Sequence, residues 1–324
     1  MAKQQNSKRL ETLIHPQIRT KLHGLTKILP TGLVTRFAPS PTGYLHLGHV
    51  AAAIYVWGVA KAVGARIQLR IEDHDQGRCR PEYEKAILED LAWLGWNADE
   101  GVTNAASTSL FRQQNRQHRY AEVFAELQRR QLIFPCDCSR KAIAASLPMR
   151  GPWPELRYLG WCRQRRVPPQ NDFGWRLHLQ PRSYLIRDLY MGLQKQNAAF
   201  QCGDVLIQDR QQQWTYHFAC VIDDWDHGVN LIIRGQDLAH CSARQVQFAQ
   251  MLGRKDLPYF LHHPLIHDPS GHKLSKRDRA TSIRQLRAQG VSAEEIIGNA
   301  AYLAAIVLEP KPLTWNEVER IFRS

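Results

Sequence analysis

The sequence lacks any long uninterrupted run of apolar residues. Its 324 residues contain neither the apolar core of a secretory signal peptide nor a stretch of about 20 residues that could span a bilayer. Internal repeats and low-complexity tracts are also missing. We therefore expect a cytoplasmic protein without a membrane partner, and the hydrophobic content of 44% is ordinary for a globular chain.

Cysteine is sparse, and its odd count of seven without a secretion signal argues against a disulfide framework. Cytosolic thiols at the short spacing of Cys136, Cys138 and Cys162 favour a structural zinc ion. Three thiolates leave one tetrahedral position open, and three unrelated core cysteines are the alternative. The others are predicted to be small core or surface residues: Cys79, Cys202, Cys220 and Cys241.

Acidic residues are the minority among the charged groups, with 30 Asp and Glu against 43 Lys and Arg. The net charge of +13 indicates a polyanionic partner such as RNA, although a solvated basic surface accounts for it equally well. Basic residues also recur in residues 1–30, which we expect to form a mobile N-terminal extension.

The most informative stretch covers residues 35–49, between a predicted strand at 33–37 and a predicted apolar helix at 50–63. A strand that ends in a Gly/Pro loop and opens onto a helix N-terminus can bind phosphate, because free N–H groups and the helix dipole face the anion. His46 and His49 lie at this helix mouth on one face. Simple helix capping is the alternative role for the pair.

Strands and helices alternate on both sides of a proline-rich middle segment. We predict strands at 65–71 and 228–234 and helices at 81–94, 111–132, 214–224 and 242–252. The middle holds strand-like runs at 175–179, 184–186 and 205–208, and the end is helical at 283–289, 293–308 and 315–322. This alternation predicts an α/β fold with a parallel sheet.

Three separated motifs carry a family resemblance: His46-Leu47-Gly48-His49, Arg70-Ile71-Glu72-Asp73 and Lys273-Leu274-Ser275-Lys276-Arg277. In this order they resemble the nucleotide site of the class I aminoacyl-tRNA synthetases, and the residues around them resemble the glutamyl branch. The resemblance implies a Rossmann-type, doubly wound parallel sheet. It divides the chain into a basic extension (1–30), a first half (31–132), an inserted zinc-containing subdomain (133–209), a second half (210–270) and a Lys-Leu-Ser-Lys loop with a short helical region (271–324).

The resemblance also implies the residues that would activate glutamate. It makes His46, His49 and Lys276 catalytic, and it assigns ATP, with Mg²⁺, to these three together with Gly48 and Lys273. Glutamate needs guanidinium groups for its carboxylates and a carboxylate for its ammonium. The residues implied for it are Arg36, Phe37, Ala38, Pro39, Ser40, Glu72, Tyr216 and Arg234. Which arginine binds which carboxylate stays open.

A subgroup of the branch, the glutamyl-Q tRNA(Asp) synthetases, fits the C-terminal region best. A full glutamyl-tRNA synthetase continues past the Lys-Leu-Ser-Lys loop with a large helical anticodon-binding domain, for which residues 277–324 are too few. The subgroup activates glutamate without tRNA and esterifies it to queuosine in the anticodon of tRNA(Asp). It also implies Tyr158 as the fourth zinc ligand, with His178 or water as alternatives.

We expect one structural zinc ion per chain and a monomer that uses ATP, L-glutamate and queuosine-containing tRNA(Asp). Two alternatives stay open. One is a truncated glutamyl-tRNA synthetase that charges a tRNA 3′ end. The other is a non-catalytic paralogue that only binds tRNA, which the intact His46, His49 and Lys276 disfavour.

Overall fold

The computed structural model describes residues 12–22, 24–104, 109–146, 155–266 and 281–323. Lys273 and Lys276 therefore lie outside the described residues. The helices are α1 (Pro16–Leu22), α2 (Leu25–Ile28), α3 (Leu47–Val63), α4 (Pro81–Trp93), α5 (Gln117–Arg129), α6 (Arg140–Ala145), α7 (Trp161–Arg165), α8 (Ala198–Gln201), α9 (Tyr216–Asp226), α10 (Ser242–Met251), α11 (Ile283–Ala288), α12 (Ala293–Leu303) and α13 (Trp315–Arg323). Short 3₁₀ turns cover Gln113–Arg116 and Gln236–Cys241.

The strands are β1 (Val34–Phe37), β2 (Arg66–Leu69), β3 (Glu100–Gly101), β4 (Ile133–Cys136), β5 (Gly174–Leu177), β6 (Tyr184–Asp188), β7 (Gly192–Gln196), β8 (Val205–Gln208), β9 (Leu231–Gly235) and β10 (Tyr259–His263). Strands β1, β2 and β3 form one parallel sheet, in that order. A second sheet has the order β7-β6-β10-β9, in which only β7 runs antiparallel to its neighbour. The predicted α/β class with parallel strands is confirmed.

The two parallel sheets meet at β1 and β9. Here the amide of Asn230 donates to the carbonyl of Val34 over 3.0 Å, and the amide of Val34 donates to the Asn230 side chain over 2.7 Å. The chain leaves β1 toward β2 on one side and reaches β9 and β10 on the other. Ligand crevices of α/β sheets open at such a switch point, at the carboxyl ends of the strands.

Helix α3 is the central element of the larger core. Nearly every residue from Val50 to Ala60 is buried, as its alanine-rich sequence predicts. The C-terminal helices α12 and α13 pack against it. A β-carbon added at Gly58 would lie 2.4 Å from the ring of Phe322, so the close approach of α13 requires glycine there.

The prediction of a mobile extension over residues 1–30 is wrong for the part that the structure describes. Ile18 and Leu22 of α1 and Leu25 of α2 are buried in the same core as α3. Ile14 forms an antiparallel bridge with Val307, which holds this segment against the C-terminal region. The apolar residues of this segment thus hold it in the core, although its basic residues had suggested a mobile tail.

The strands of the predicted insertion over residues 133–209 belong to two different sheets. Strands β4, β5 and β8 form a separate antiparallel sheet. Strand β6 instead pairs in parallel with β10, at Asp188 and Phe260, and β7 extends that sheet by a hairpin. The boundaries of the insertion therefore need correction, because β6 and β7 belong to the sheet of the second half.

Several predicted helix ends also shift. Helix α5 starts at Gln117 instead of 111, since residues Gln113–Arg116 form a 3₁₀ turn. Helix α12 ends at Leu303 instead of 308. The reason is Ala305, two residues later, whose φ of 53° is incompatible with an α-helix. In the described part of the chain, no helix combines the length and the apolar character needed to cross a membrane.

Candidate active site

His46 and His49 cap the N-terminus of α3 through a reciprocal pair of hydrogen bonds. Nδ1 of His46 accepts from the amide of Gly48 over 3.0 Å, and Nδ1 of His49 accepts from the amide of His46 over 3.2 Å. Both Nδ1 atoms are acceptors, so each neutral ring carries its proton on Nε2. The predicted capping role is thus present, and the tautomer that it fixes carries an N–H group at Nε2 of each ring.

A cleft of about 680 Å³ opens at this helix mouth. The predicted residues that line it are Ala38, Pro39, Ser40, His46, Gly48 and His49. Its other wall comes from the carboxyl ends of β9 and β10, with Asp237 and His263. Phe37 differs from the prediction, because its ring is buried and packs edge-on against Trp57, with ring centres 5.3 Å apart.

Arg36 and Glu72 lie behind this cleft in a buried ionic cluster. The Nε atom of Arg36 donates to Asp224 over 3.1 Å, and Nη1 of Arg70 donates to the same carboxylate oxygen over 2.7 Å. Nη2 of Arg70 donates to Glu72 over 3.0 Å. Burial favours the neutral acid, yet the Arg36 and Arg70 guanidinium groups lower the pKa of Asp224 well below its ordinary range.

Arg234 is fixed from three directions on β9. Its Nη1 donates to Gln245 over 2.5 Å, its Nη2 donates to Ser242 over 3.1 Å, and its Nε donates to Nε2 of His262 over 3.0 Å. His262 is itself hydrogen-bonded through Nδ1 to the buried carboxylate of Asp188. This chain of contacts leaves the guanidinium of Arg234 little rotational freedom.

Tyr216 lies near both the Arg36–Glu72 cluster and Arg234. Burial raises the pKa of its hydroxyl well above the ordinary value, and its charged neighbours include Arg234, Glu72 and Arg36. The structure therefore places four of the eight residues implied for glutamate near one another: Arg36, Glu72, Tyr216 and Arg234. Arg70 and Asp224 belong to the same buried polar region, through their hydrogen bonds to Glu72 and Arg36.

Asp224, Arg70 and His262 were not predicted as site residues. Arg70 stands in the quoted motif at 70–73 and could have been found there, but no partner was assigned to it. The adjacent Asp223 and Asp224 directly follow the apolar run 218–222 of helix α9 and were a second signal, because buried carboxylates need cationic partners. The role of His262 depends on strand pairing with β9 and has no local signature.

The thiols of Cys136, Cys138 and Cys162 converge in the smaller sheet region. The Sγ of Cys162 lies 3.4 Å from that of Cys138 and 3.6 Å from that of Cys136. Tetrahedral zinc with Zn–S bonds of about 2.3 Å would hold thiolates about 3.8 Å apart. The observed spacing is close to this value, so the donor set fits a zinc ion.

The Arg176 guanidinium favours the thiolate of Cys136, whereas burial raises the pKa of the Cys138 thiol to about 12. Burial alone would raise the pKa of Cys136, but the Arg176 guanidinium, with Nε 3.2 Å from Sγ, lowers it below the ordinary value. Nη2 of Arg165 lies 3.3 Å from Sγ of Cys162. Three thiolates on a divalent ion carry a net negative charge, which these two cations offset.

The fourth donor has more than one candidate. The Tyr158 hydroxyl, implied by the resemblance, accepts from the amide of Cys162 over 2.9 Å, and burial raises the pKa of this phenol. His178, the predicted substitute, is hydrogen-bonded to Asp204 over 3.0 Å and does not join the thiol group. Oδ1 of Asp137, which the sequence did not single out, lies 3.0 Å from Sγ of Cys162.

Comparison with known proteins places this architecture in a family. Residues 32–309 match the family described as tRNA synthetases class I (E and Q), catalytic domain. The chain therefore belongs to this family, and the prediction of a synthetase-type ligase is confirmed.

Its relatives are of two kinds. The chain is 37% identical to glutamate–tRNA ligase 1 of Acidithiobacillus ferrooxidans, over 89% of this chain but 60% of that protein. It is 35% identical to the glutamyl-Q tRNA(Asp) synthetase of Rhodobacter capsulatus, over 82% of this chain and 98% of that protein. The predicted resemblance to the glutamyl-Q synthetases is confirmed, with a further example from Symbiobacterium thermophilum at 34% identity over 90% of this chain and 92% of that protein.

A solved structure agrees with the fold. The crystal structure of a glutamate tRNA ligase from Elizabethkingia meningosepticum, in complex with its amino acid, superposes with a TM-score of 0.71 at 26% identity. The match covers 89% of this chain and 64% of that protein.

Proposed function

We propose that this protein activates L-glutamate with ATP, independently of tRNA, and transfers it to the queuosine base in the anticodon of tRNA(Asp). The observation that supports the first step is that the cleft at the α3 mouth is lined by Ala38, two residues after Arg36, and by Gly235, next to Arg234. The reaction forms a bond between the glutamate α-carboxylate oxygen and the α-phosphorus of ATP, and pyrophosphate leaves.

The nucleotide half of the site would act by positioning and charge stabilisation. His46 and His49 would donate Nε2–H groups to phosphate oxygens, while the N-terminus of α3 adds its positive dipole end. Lys273 and Lys276, which lie outside the described residues, would contact the leaving pyrophosphate, and Mg²⁺ would accompany ATP. Charged donors of this kind contribute about 1.5–3 kcal/mol per hydrogen bond.

The amino-acid half would select glutamate by its three charges. Arg36 and Arg234 would bind the carboxylates, Glu72 would accept from the ammonium, and Tyr216 would add a hydroxyl. Because Nε of Arg36 donates to Asp224 and Nη1 donates to the carbonyl of Ile233 over 3.2 Å, the arginine would meet its ligand through Nη2. Cations fixed in this way bind a carboxylate without a large entropic cost of ordering.

The zinc ion would be held by Cys136, Cys138 and Cys162, with Tyr158 as the implied fourth ligand. When bound, the metal supplies local folding stability to the β4-β5-β8 region. Arg163, Arg165 and Arg166 follow the last cysteine and would meet RNA phosphates from this stabilised segment.

The acceptor is proposed from the relatives. Relatives at 34–35% identity are named glutamyl-Q tRNA(Asp) synthetases, and this name supports queuosine as the acceptor. A splayed, modified anticodon base is a usual target for RNA-binding proteins, since loops expose bases that duplexes hide.

Four tRNA(Asp) substrates test the acceptor, combining the presence or absence of queuosine with the presence or absence of the 3′-terminal adenosine. We expect labelled glutamate to enter every substrate with queuosine, whether or not the terminal adenosine is present. Labelling that needs the terminal adenosine and ignores queuosine would instead identify a ligase that charges the 3′ end.

A further inference from the structure

A second cluster of metal-binding side chains lies where the insertion meets the larger sheet. It joins Glu155, which precedes α7, to His240 and Cys241 at the end of the Gln236–Cys241 turn. One possible ligand atom from each residue lies within 4.8 Å of the other two. The cluster shares no residue with the three-thiol group.

The separations match one divalent ion at the centre. Nε2 of His240 lies 3.1 Å from Oε1 of Glu155 and 3.3 Å from Sγ of Cys241, and Sγ lies 3.7 Å from the same carboxylate oxygen. A tetrahedral zinc ion with ordinary bond lengths sets an N···O distance of about 3.4 Å, and S···N and S···O distances of about 3.5 Å. Each observed distance lies within a few tenths of an ångström of its ideal.

The surroundings suit a ligand set of this kind. Nη1 of Arg244 donates to the other oxygen of Glu155 over 2.5 Å, as ligating carboxylates are commonly held by a neighbouring donor. Arg244 also contacts Nε2 of His217 over 3.0 Å. The thiol of Cys241 is buried, whereas the side chains of His240 and Glu155 keep 14% and 38% of their surface exposed, so an ion can enter from solvent.

We propose that Glu155, His240 and Cys241 bind a zinc ion, with water in the fourth position. Mixed carboxylate, imidazole and thiolate donors are those that zinc takes in proteins. Binding releases the thiol proton and any proton on the imidazole, and the two anionic ligands neutralise the ion's charge.

The position of the site gives it a structural consequence. The same turn lines the nucleotide cleft with Asp237 and accepts a hydrogen bond from Arg234 at the carbonyl of Leu238. A metal at the end of this turn would fasten it to Glu155. The ion therefore stiffens the wall behind Arg234 and connects the insertion to the amino-acid pocket.

Metal analysis of the full chain, purified with zinc and freed of loosely bound ions, tests the proposal. We expect Cys241→Ser to contain about one zinc equivalent less than the wild type, and His240→Gln to lose the same equivalent. Cys202→Ser is the matched control, because it removes another buried thiol from this part of the chain and should keep the full content. Cys138→Ser reports separately on the three-thiol site.

Cobalt substitution gives a second readout. Each site should show a thiolate-to-cobalt absorption band, and Cys241→Ser should remove the weaker, single-thiolate component while Cys138→Ser keeps it. If Cys241→Ser and His240→Gln both retain the wild-type metal content, the cluster is an ion-pair network and the proposal is wrong. If only Cys138→Ser loses zinc, the three-thiol site is supported and the proposed site at Glu155, His240 and Cys241 is refuted.

Discussion

Replacing Asp224 with asparagine should disrupt the amino-acid site through its supporting charges. Asp224 is buried, with 4% of its surface exposed, and accepts hydrogen bonds from Arg36 over 3.1 Å and Arg70 over 2.7 Å. Asparagine has nearly the same shape but no negative charge. The substitution would leave two buried guanidinium groups facing each other, and the nearby carboxylates of Glu72 and Asp223, 3.0 Å and 4.0 Å away, contact only Arg70 of the two.

The expected cost follows from these contacts. Breaking a buried ion pair by removing one partner typically costs about 3–5 kcal/mol, because the other charge stays buried without compensation. Here one carboxylate serves two cations, while Glu72 still compensates Arg70 in part. We therefore expect a loss of about 3–4 kcal/mol in the free energy of unfolding.

Urea unfolding at pH 7 measures this loss, with Asp172→Asn as the matched control. Asp172 forms an exposed ion pair with Arg210 over 3.3 Å, and exposed pairs contribute about 1 kcal/mol at most. Where the variant stays folded, its KM for glutamate should rise far more than its KM for ATP, since Arg36 loses its anchor. A loss in Asp224→Asn no larger than in the control, with an unchanged KM for glutamate, would refute this account of the cluster.

Four other substitutions test separate parts of the molecule. His49→Ala, like Lys276→Ala, should lower glutamate-dependent ATP–pyrophosphate exchange by about 10²–10³ while circular dichroism stays native, and unchanged exchange in both would remove the nucleotide site. Arg36→Leu should abolish glutamate activation with ATP still bound, as measured by calorimetry, and a wild-type kcat/KM would show that the pocket is assigned to the wrong residues. Asp90→Asn should stabilise the protein by about 1–2 kcal/mol at pH 7, because burial raises the pKa of Asp90 to about 6 and stability is lost as pH rises from about 4 to about 6. The free energy of unfolding should therefore change less between pH 4 and pH 7 in this variant than in the wild type. An equal change in both proteins would contradict the explanation.

Much of the fold could be predicted from local sequence patterns. Strand β8 occupies the predicted residues, and α3 begins three residues before the predicted start, at the His46 cap. These elements combine a clear apolar pattern with Gly or Pro at their ends. Helix α1 was missed, because the segment directly before it is held by a bridge between Ile14 and Val307, far along the chain.

The residues of the candidate site, too, were only partly predictable from local sequence. The motif residues His46 and Gly48 line the cleft, as local sequence predicted. The partner of Arg36 could not be predicted, since Asp224 lies 188 positions away and only the packing of α9 beside β1 brings it close. The cluster at Glu155 likewise unites two segments that no sequence spacing connects.

Glutamate-dependent ATP–pyrophosphate exchange in the absence of tRNA tests the central claim most directly. The proposed site combines the mouth of α3 with Arg36, Arg234 and Glu72, so glutamate alone should support exchange. Aspartate and glutamine, which are shorter or lack the second charge, should support little. Exchange that requires tRNA, or that is as fast with glutamine as with glutamate, would contradict the proposed activity.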